Sequence, residues 1–412
     1  MNPPAPQDRP RRRDGLTLTV LAAVQFGLVL DFMLMMPLGP QFMRLFQITP
    51  TQFGFLVSIY TVCGSLAGLF AAFFVDRFDR KRTLTLLLGG FAVTALFCAN
   101  AETYAGLLTV RAVAGAFGGV LSSTVLAIVS DVIPEGRRGK ALGVVMSAFS
   151  LSSVFGLPIS LYLATHFGWH MPFYAIATLM GLMLVLAIWA LPRVRGHIEG
   201  ARGRRPLEQL RLVFGNRNHL RAYAFAAVMM FAGFIVVPFV SPYMVANVGV
   251  KEGELALLYL IGGSIALFVQ RMAGRLSDLH GKRRVFTAFS LVSIAPMLLT
   301  THLPVLPLWA AVVASAFFMA VVSSRFVPAM AIITAAADPR LRGSFMSFYS
   351  AIQQMSSGLA VFLGSLIIGR GAGGELTHFG ILGWIAVGFT FVAMALARRI
   401  LTHGQTKVVV PA

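Results

Sequence analysis

Long apolar runs separated by short polar ones set the plan of this chain. Twelve runs carry few ions: 16–36, 52–75, 83–101, 105–130, 141–163, 171–192, 222–245, 255–274, 285–303, 308–334, 343–368 and 379–397. A helix rising 1.5 Å per residue needs about 20 such residues to cross the hydrocarbon layer of a bilayer. Lipid offers no hydrogen-bond partner to an exposed backbone, so only helices or closed barrels cross it, and runs this long are not barrel strands. The predicted fold class is all-α: a polytopic membrane protein of twelve transmembrane helices.

Composition agrees. The 412 residues are 57% hydrophobic and 12% charged, with mean hydropathy +0.79, too little charge to cover a soluble core of that size. No Gly-x-x-x-x-Gly-Lys-Ser/Thr phosphate loop is present, and no paired acids, catalytic serine or metal motif stands out, so neither an enzyme nor a cofactor is expected. Cys63 and Cys98 fall inside apolar runs, where free thiols behave as small hydrophobes; His166, His170, His302 and His378 lie near loops without ligand spacing.

Of the 34 Lys and Arg, 29 fall in alternate loops and the two tails, whereas the other loops hold only Arg44, Lys251 and Arg370. The positive-inside rule then places both termini in the cytoplasm. A net charge of +19 spread over every second loop points to anionic lipid headgroups as the counter-charge and not to nucleic acid. Residues 1–15, "MNPPAPQDRPRRRDG", read as a disordered basic tail. The run behind it is too long for a signal-peptide core, so the first helix is expected to stay uncleaved. The longest polar connection, 193–221, reads as a central cytoplasmic linker between six-helix bundles at 16–192 and 222–397, with a cytoplasmic tail at 398–412.

The halves repeat each other. "VDRFDRKR" after the second run has a counterpart in "GRLSDLHGKRR" after the eighth, with Asp76 and Asp278 202 residues apart. "EGRRGKALG" before the fifth run answers "PRLRGSFMS" before the eleventh, with Gly139 and Gly343 204 apart. A duplicated six-helix unit is the plan of alternating-access transporters, whose site lies between the halves.

Together these features resemble the major facilitator superfamily over essentially the whole chain. That family's loop between helices 2 and 3 is similar to the stretch holding Asp76, Arg77, Arg80 and Lys81, with Ala72 and Asp79 where glycine is usual. The second copy keeps Gly274, Asp278, Gly281, Lys282 and Arg283, with Leu279 in place of an arginine. The resemblance implies that these residues form a cytoplasmic gate; an aspartate at a helix end can hold the halves shut through hydrogen bonds from arginine and a neighbouring helix N-terminus. "LLTVRAVAGAFGG" resembles the family's helix-4 pattern through Arg111, Gly115 and Gly118, often linked with proton coupling. "SLSSVFGLPISL" is similar to the helix-5 antiporter pattern through Gly156 and Pro158, although Leu161 and Tyr162 stand where small residues are usual. "GLVLDFMLMMPLGP", "THFGWHMPFY" and "RFVPAMAIITAAADPRLRGSFMS" resemble bacterial drug and sugar efflux members, which implies an inner-membrane protein working as a monomer.

Ionisable groups within spans are rare and usually functional. Asp31 and Arg111, counted from their helix ends, sit at matching depths, about 22 and 21 Å from the cytoplasmic face. They are expected to share a cavity, where protonation of the carboxylate would release Arg111 and couple transport to the proton gradient. Arg325, three residues before Pro328, either faces substrate or satisfies carbonyls freed by the proline. Ser347, Ser350, Gln354 and Ser357 share one helical face that either lines the cavity or bonds a neighbouring helix; Tyr243, Met229 and Met230 either line it or pack the core. Gly64, Gly68 and Ala72, and Gly115, Gly118, Gly119 and Ser122, read as close helix packing.

The function expected is proton-coupled efflux of small amphiphilic molecules or sugars, with protons, substrate and membrane lipids as partners. The alternatives are an uptake symporter or facilitator for sugars or organic acids and, more distantly, a non-transporting membrane sensor or scaffold.

Overall fold

The structure, a computed structural model, describes residues 11–71, 78–133, 135–191, 206–338 and 341–401. Among them, twelve helices are long and apolar enough to span a membrane: α1 Gly15–Leu34, α2 Pro50–Ala71, α3 Arg80–Ala99, α4 Tyr104–Val132, α5 Gly139–Phe167, α6 Met171–Ala190, α7 Arg217–Val248, α8 Glu252–His280, α9 Lys282–Thr301, α10 Leu308–Ala336, α11 Arg342–Ile367 and α12 Phe379–Arg399. The predicted fold class holds: α1–α6 and α7–α12 form two pseudo-symmetric six-helix bundles, and every span meets its predicted position within six residues at either end. Outward faces carry bare apolar side chains, Trp189 at 85% exposure and Leu86 at 76%, as lipid contact requires.

Some boundaries differ from expectation. The first helix already begins at Arg11, inside the segment read as tail, and part of the linker segment is the helix Pro206–Gly215, with α7 starting at Arg217. Beyond α1 the chain turns into a short helix, Gly39–Leu45, on the charge-poor rim. On the same rim, β1 Gly369–Arg370 and β2 Leu376–Thr377 pair antiparallel between α11 and α12, with Gly369 opposite Thr377.

Three spans are interrupted, each near proline. Pro158 cannot donate to Val154 and crowds its carbonyl; α5 widens into a π turn over Ser152–Gly156 just before it. There Gly156 leaves room for Leu30 of α1: a Cβ on it would lie 2.7 Å from that side chain. In α7, regular helix stops at Phe234 and resumes at Val237 ahead of Pro238; in α10 it stops at Ser324 and resumes at Phe326 ahead of Pro328. The breaks after Leu34 and Phe234 lie 200 residues apart, close to the spacing of the sequence repeat.

Two seams join the bundles. Along α2 and α11, Thr51 Oγ1 donates to Ser365 O at 2.9 Å and Ser65 Oγ to Ala351 O at 2.7 Å. Gly358 sits against Thr61 and Ser58 between them. This seam runs from the charge-poor end of α2 through Ser65, about 22 Å along the helix. Along α5 and α8, Gly263 approaches the Ser153 carbonyl and Gly253 approaches Thr165. Nearer the basic rim these two helices part, leaving a cleft of about 300 Å³ lined by Ser147, Ser150, Leu151, Gln270 and Arg271. On the charge-poor rim, Arg44 and Glu252 join the halves through a two-pronged ion pair, with Nη2 3.0 Å from Oε2.

Candidate functional site

The ions of the first bundle meet. Asp31 lies one turn before the end of α1, and Arg111 two turns into α4, whose start is capped by the Thr103 hydroxyl accepting from Gly106 N–H. Arg111 Nη1 donates to Asp31 Oδ2 at 2.7 Å; exposures are 0% and 1%. The guanidinium carbon stands 4.3 Å from the centre of the Tyr60 ring in α2, a cation–π contact that shares the load of the buried charge. Phe32 stacks on Tyr60 at 5.9 Å and meets Phe234 of the other bundle at 6.0 Å. A line of rings therefore leads from the ion pair to the joint of α7. The close fit of α4 on α2 depends on Gly115 and Gly119, where a Cβ would run into the backbone carbonyls of Tyr60 and Gly64.

Arg325 sits at the joint of α10 and is 1% exposed. Nη1 donates to Thr390 Oγ1 of α12 at 3.0 Å and to Ser293 Oγ of α9 at 3.5 Å; Nε and Nη2 have no partner among the described residues. The guanidinium does not bond the carbonyls freed by Pro328.

Other expected cavity residues divide. Ser350 is half-buried, and half-buried Gln354 reaches across the α2–α11 seam, its Oε1 3.0 Å from where Gly64 would carry a Cβ. Met229 and Met230 are core, 2% and 1% exposed. Tyr243 does not join the central groups. It lies about 15 Å along α7 from Gly233, its ring faces Phe379, and its hydroxyl donates to Leu303 O at 2.9 Å, fixing the charge-poor end of the bundle. Of the helix-5 pair, Gly156 and Pro158 shape the π turn against α1.

At the basic rim, Asp76 and Arg77 lie outside the described residues. The described bonds of their neighbours stay within one bundle and do not cross between halves. Arg80 Nε reaches Asp131 Oδ2 at 3.1 Å, and Lys81 Nζ reaches Ile188 O at 2.6 Å. Arg283 Nη2 reaches Ile400 O. Asp79 takes over the glycine position at no strain because the backbone there is extended (φ −60°), and its carboxylate caps α3 by accepting from Lys81 and Arg82 N–H. The second copy differs: Gly281 turns α8 into α9 at φ +90°, a conformation side chains resist. Asp278 is exposed, Gly274 and Lys282 half-exposed.

Several partners in these contacts carry no mark in the sequence. Tyr60, Thr390 and Ser293 looked like ordinary span residues, and Glu252 gave no sign of reaching Arg44. His219, fully buried, accepts from Asp338 N–H at Nε2 and directs Nδ1 to Val213 O, tying the helix Pro206–Gly215 to the segment before α11. Only its place at the foot of an apolar run hinted at that.

Twelve spans in duplicated bundles, with ions buried inside both, define a multi-pass transporter fold. The chain belongs to the Major Facilitator Superfamily, whose sequence model matches residues 21–268 and 222–411; it is a transporter and not an enzyme. It is 26% identical over 363 residues to the "Uncharacterized MFS-type transporter YwfA" of Bacillus subtilis (strain 168), covering 86% of this chain and 84% of that one. It is 24% identical over 250 residues to a "Probable sugar efflux transporter" of Mannheimia succiniciproducens, covering 61% and 62%. Among solved structures it resembles a D-xylose-proton symporter (TM-score 0.76, 15% identity, 94% and 98% covered). It also resembles a bacterial homologue of the human lysosomal transporter Spinster (TM-score 0.70, 16% identity, 95% and 99% covered).

Proposed function

We propose that this protein is a proton-coupled exporter of small amphiphilic molecules or sugars, acting as a monomer in a bacterial inner membrane with its basic face and both termini in the cytoplasm. The Asp31–Arg111 pair carries this reading. Among the described residues Asp31 is the single carboxylate placed deep in a span, so it is the group a proton can neutralise there. Protonation leaves Arg111 without its counter-charge in a dry site, which favours opening of the pair. The change reaches the interface through Tyr60, Phe32 and Phe234. A substrate that favours the opened pair then competes with the closed one, and coupling between the two ligands is reciprocal.

The likeness to a sugar efflux transporter supports export, and the basic loops support the orientation. Asp76, Arg77 and Asp278 form the latch of the basic rim in this scheme. Arg80, Lys81, Gly274, Gly281, Lys282 and Arg283 shape that rim, and Arg44–Glu252 latches the other. Ser350 and Gln354 line the route along α11.

The test is proton-driven accumulation in vesicles carrying the purified protein. Asp31→Asn should abolish accumulation while leaving part of downhill exchange. Undiminished active transport by that variant would sink the coupling role.

A further inference from the structure

The interior of the spans is not charge-balanced. Deep inside them stand Asp31, Arg111 and Arg325; the first two neutralise each other, and among the described residues no carboxylate lies within ion-pair distance of Arg325. A guanidinium is charged at neutral pH, and an uncompensated buried charge is strongly unfavourable. Two hydroxyls on Nη1 offset little of that.

The free edge has a particular shape. Nε and Nη2 point their N–H groups the same way, side by side, which is the fork that matches two oxygens of a carboxylate or phosphate. Arg111 has the same edge free, but a carboxylate and the Tyr60 ring already balance it. Arg325 Nη2 lies 3.7 Å from the Cβ position of Gly233, where α7 carries no side chain. The next residue, Phe234, faces Phe32 of the other bundle. Nη2 of the fork thus lies beside the joint of α7, and Arg325 itself is the joint of α10.

We infer that the transported molecule bears an anionic group, carboxylate or phosphate, and that Arg325 receives it. This rests on the transport reading above and narrows the cargo to acidic sugars or acidic amphiphiles.

The experiment uses the full-length protein in neutral-lipid nanodiscs and follows thermal unfolding, since a ligand selective for the folded state raises the midpoint. The probes are gluconate against glucose, benzoate against benzyl alcohol, inorganic phosphate, and tetraphenylphosphonium. At least one anion should raise the midpoint where its neutral counterpart does not, and Arg325→Gln should weaken that anion at least tenfold. Without ligand, Arg325→Gln should melt higher than the parent, because a stranded charge has gone; an arginine that only props the bundle would give a lower midpoint. Should the variant not fold, Arg325→Lys, which keeps the charge and loses the fork, must still lose anion affinity.

The inference falls if no anion acts, if neutral probes act equally, if ligand-free Arg325→Gln melts lower, or if the variants bind anions like the parent. It also falls if phosphatidylglycerol in the nanodisc reproduces the anion effect, since the fork then holds a lipid headgroup. Flux of neutral or cationic probes alone into parent vesicles would leave the transport reading standing; no flux of any probe would remove that reading itself.

Discussion

Breaking the Asp31–Arg111 pair one side at a time should cost far more than removing both sides. At 2.7 Å and an effective dielectric near 20, the attraction is about 6 kcal/mol. Against it stands the loss of hydration of two fully buried ions, several kcal/mol each. The terms nearly cancel, so Asp31→Asn combined with Arg111→Gln should leave stability within about 2 kcal/mol of the parent. Asp31→Asn alone strands the guanidinium above Tyr60 and should cost about 3–5 kcal/mol. With roughly 2 cal/mol/K of unfolding entropy per residue, a chain of 412 residues shifts by about 1 °C per kcal/mol. A thermal-unfolding cycle on purified parent, both single variants and the double variant should therefore show a drop of about 3–5 °C in Asp31→Asn that is largely recovered in the double. A double variant that loses the sum of the two singles would show that the ions do not stabilise each other, and the coupling scheme would go with it.

Gly115→Ala and Gly119→Ala should sharply lower the yield of monodisperse protein in size-exclusion chromatography, because each new methyl meets backbone carbonyl of α2; Gly388→Ala, with nothing within 4 Å, should be neutral or slightly stabilising. Neutralising Glu252 should cost at most about 1 kcal/mol in thermal unfolding, since Arg44 is largely exposed, yet it should alter transport rate, and the exchange Arg44→Glu with Glu252→Arg should restore that rate. His219→Ala should lower stability by about 1–3 kcal/mol by removing the buried acceptor of Asp338 N–H, with faster proteolysis after Arg211 as the visible sign.

The spans were legible because lipid imposes one length and one polarity on every crossing element, and the repeat was legible because both copies keep charges at their turns. Even the meeting of Asp31 and Arg111 could be reasoned from depth alone. Direction around the helix axis could not. Tyr243 shares the apolar character of a cavity residue, but its hydroxyl is used by Leu303 from a distant loop. Arg80 and Lys81 read as parts of a latch between halves, whereas their described bonds go to Asp131 and Ile188 of their own bundle. The prolines of α5, α7 and α10 are plain in the sequence, but whether a proline yields a π turn, as at Ser152–Gly156, or a joint, as at Arg325, depends on what packs beside it.

The α2–α11 seam has a mechanical consequence. Its polar bonds end on main-chain oxygens and its closest approaches are at Gly54 and Gly358, so along most of its length this edge has no charges to separate. Two rods joined in that way can swivel about their common line more easily than they can slide along it. The opposite edge, where α5 and α8 already gape toward the basic rim, is the one that must swing, like a book turning on its spine.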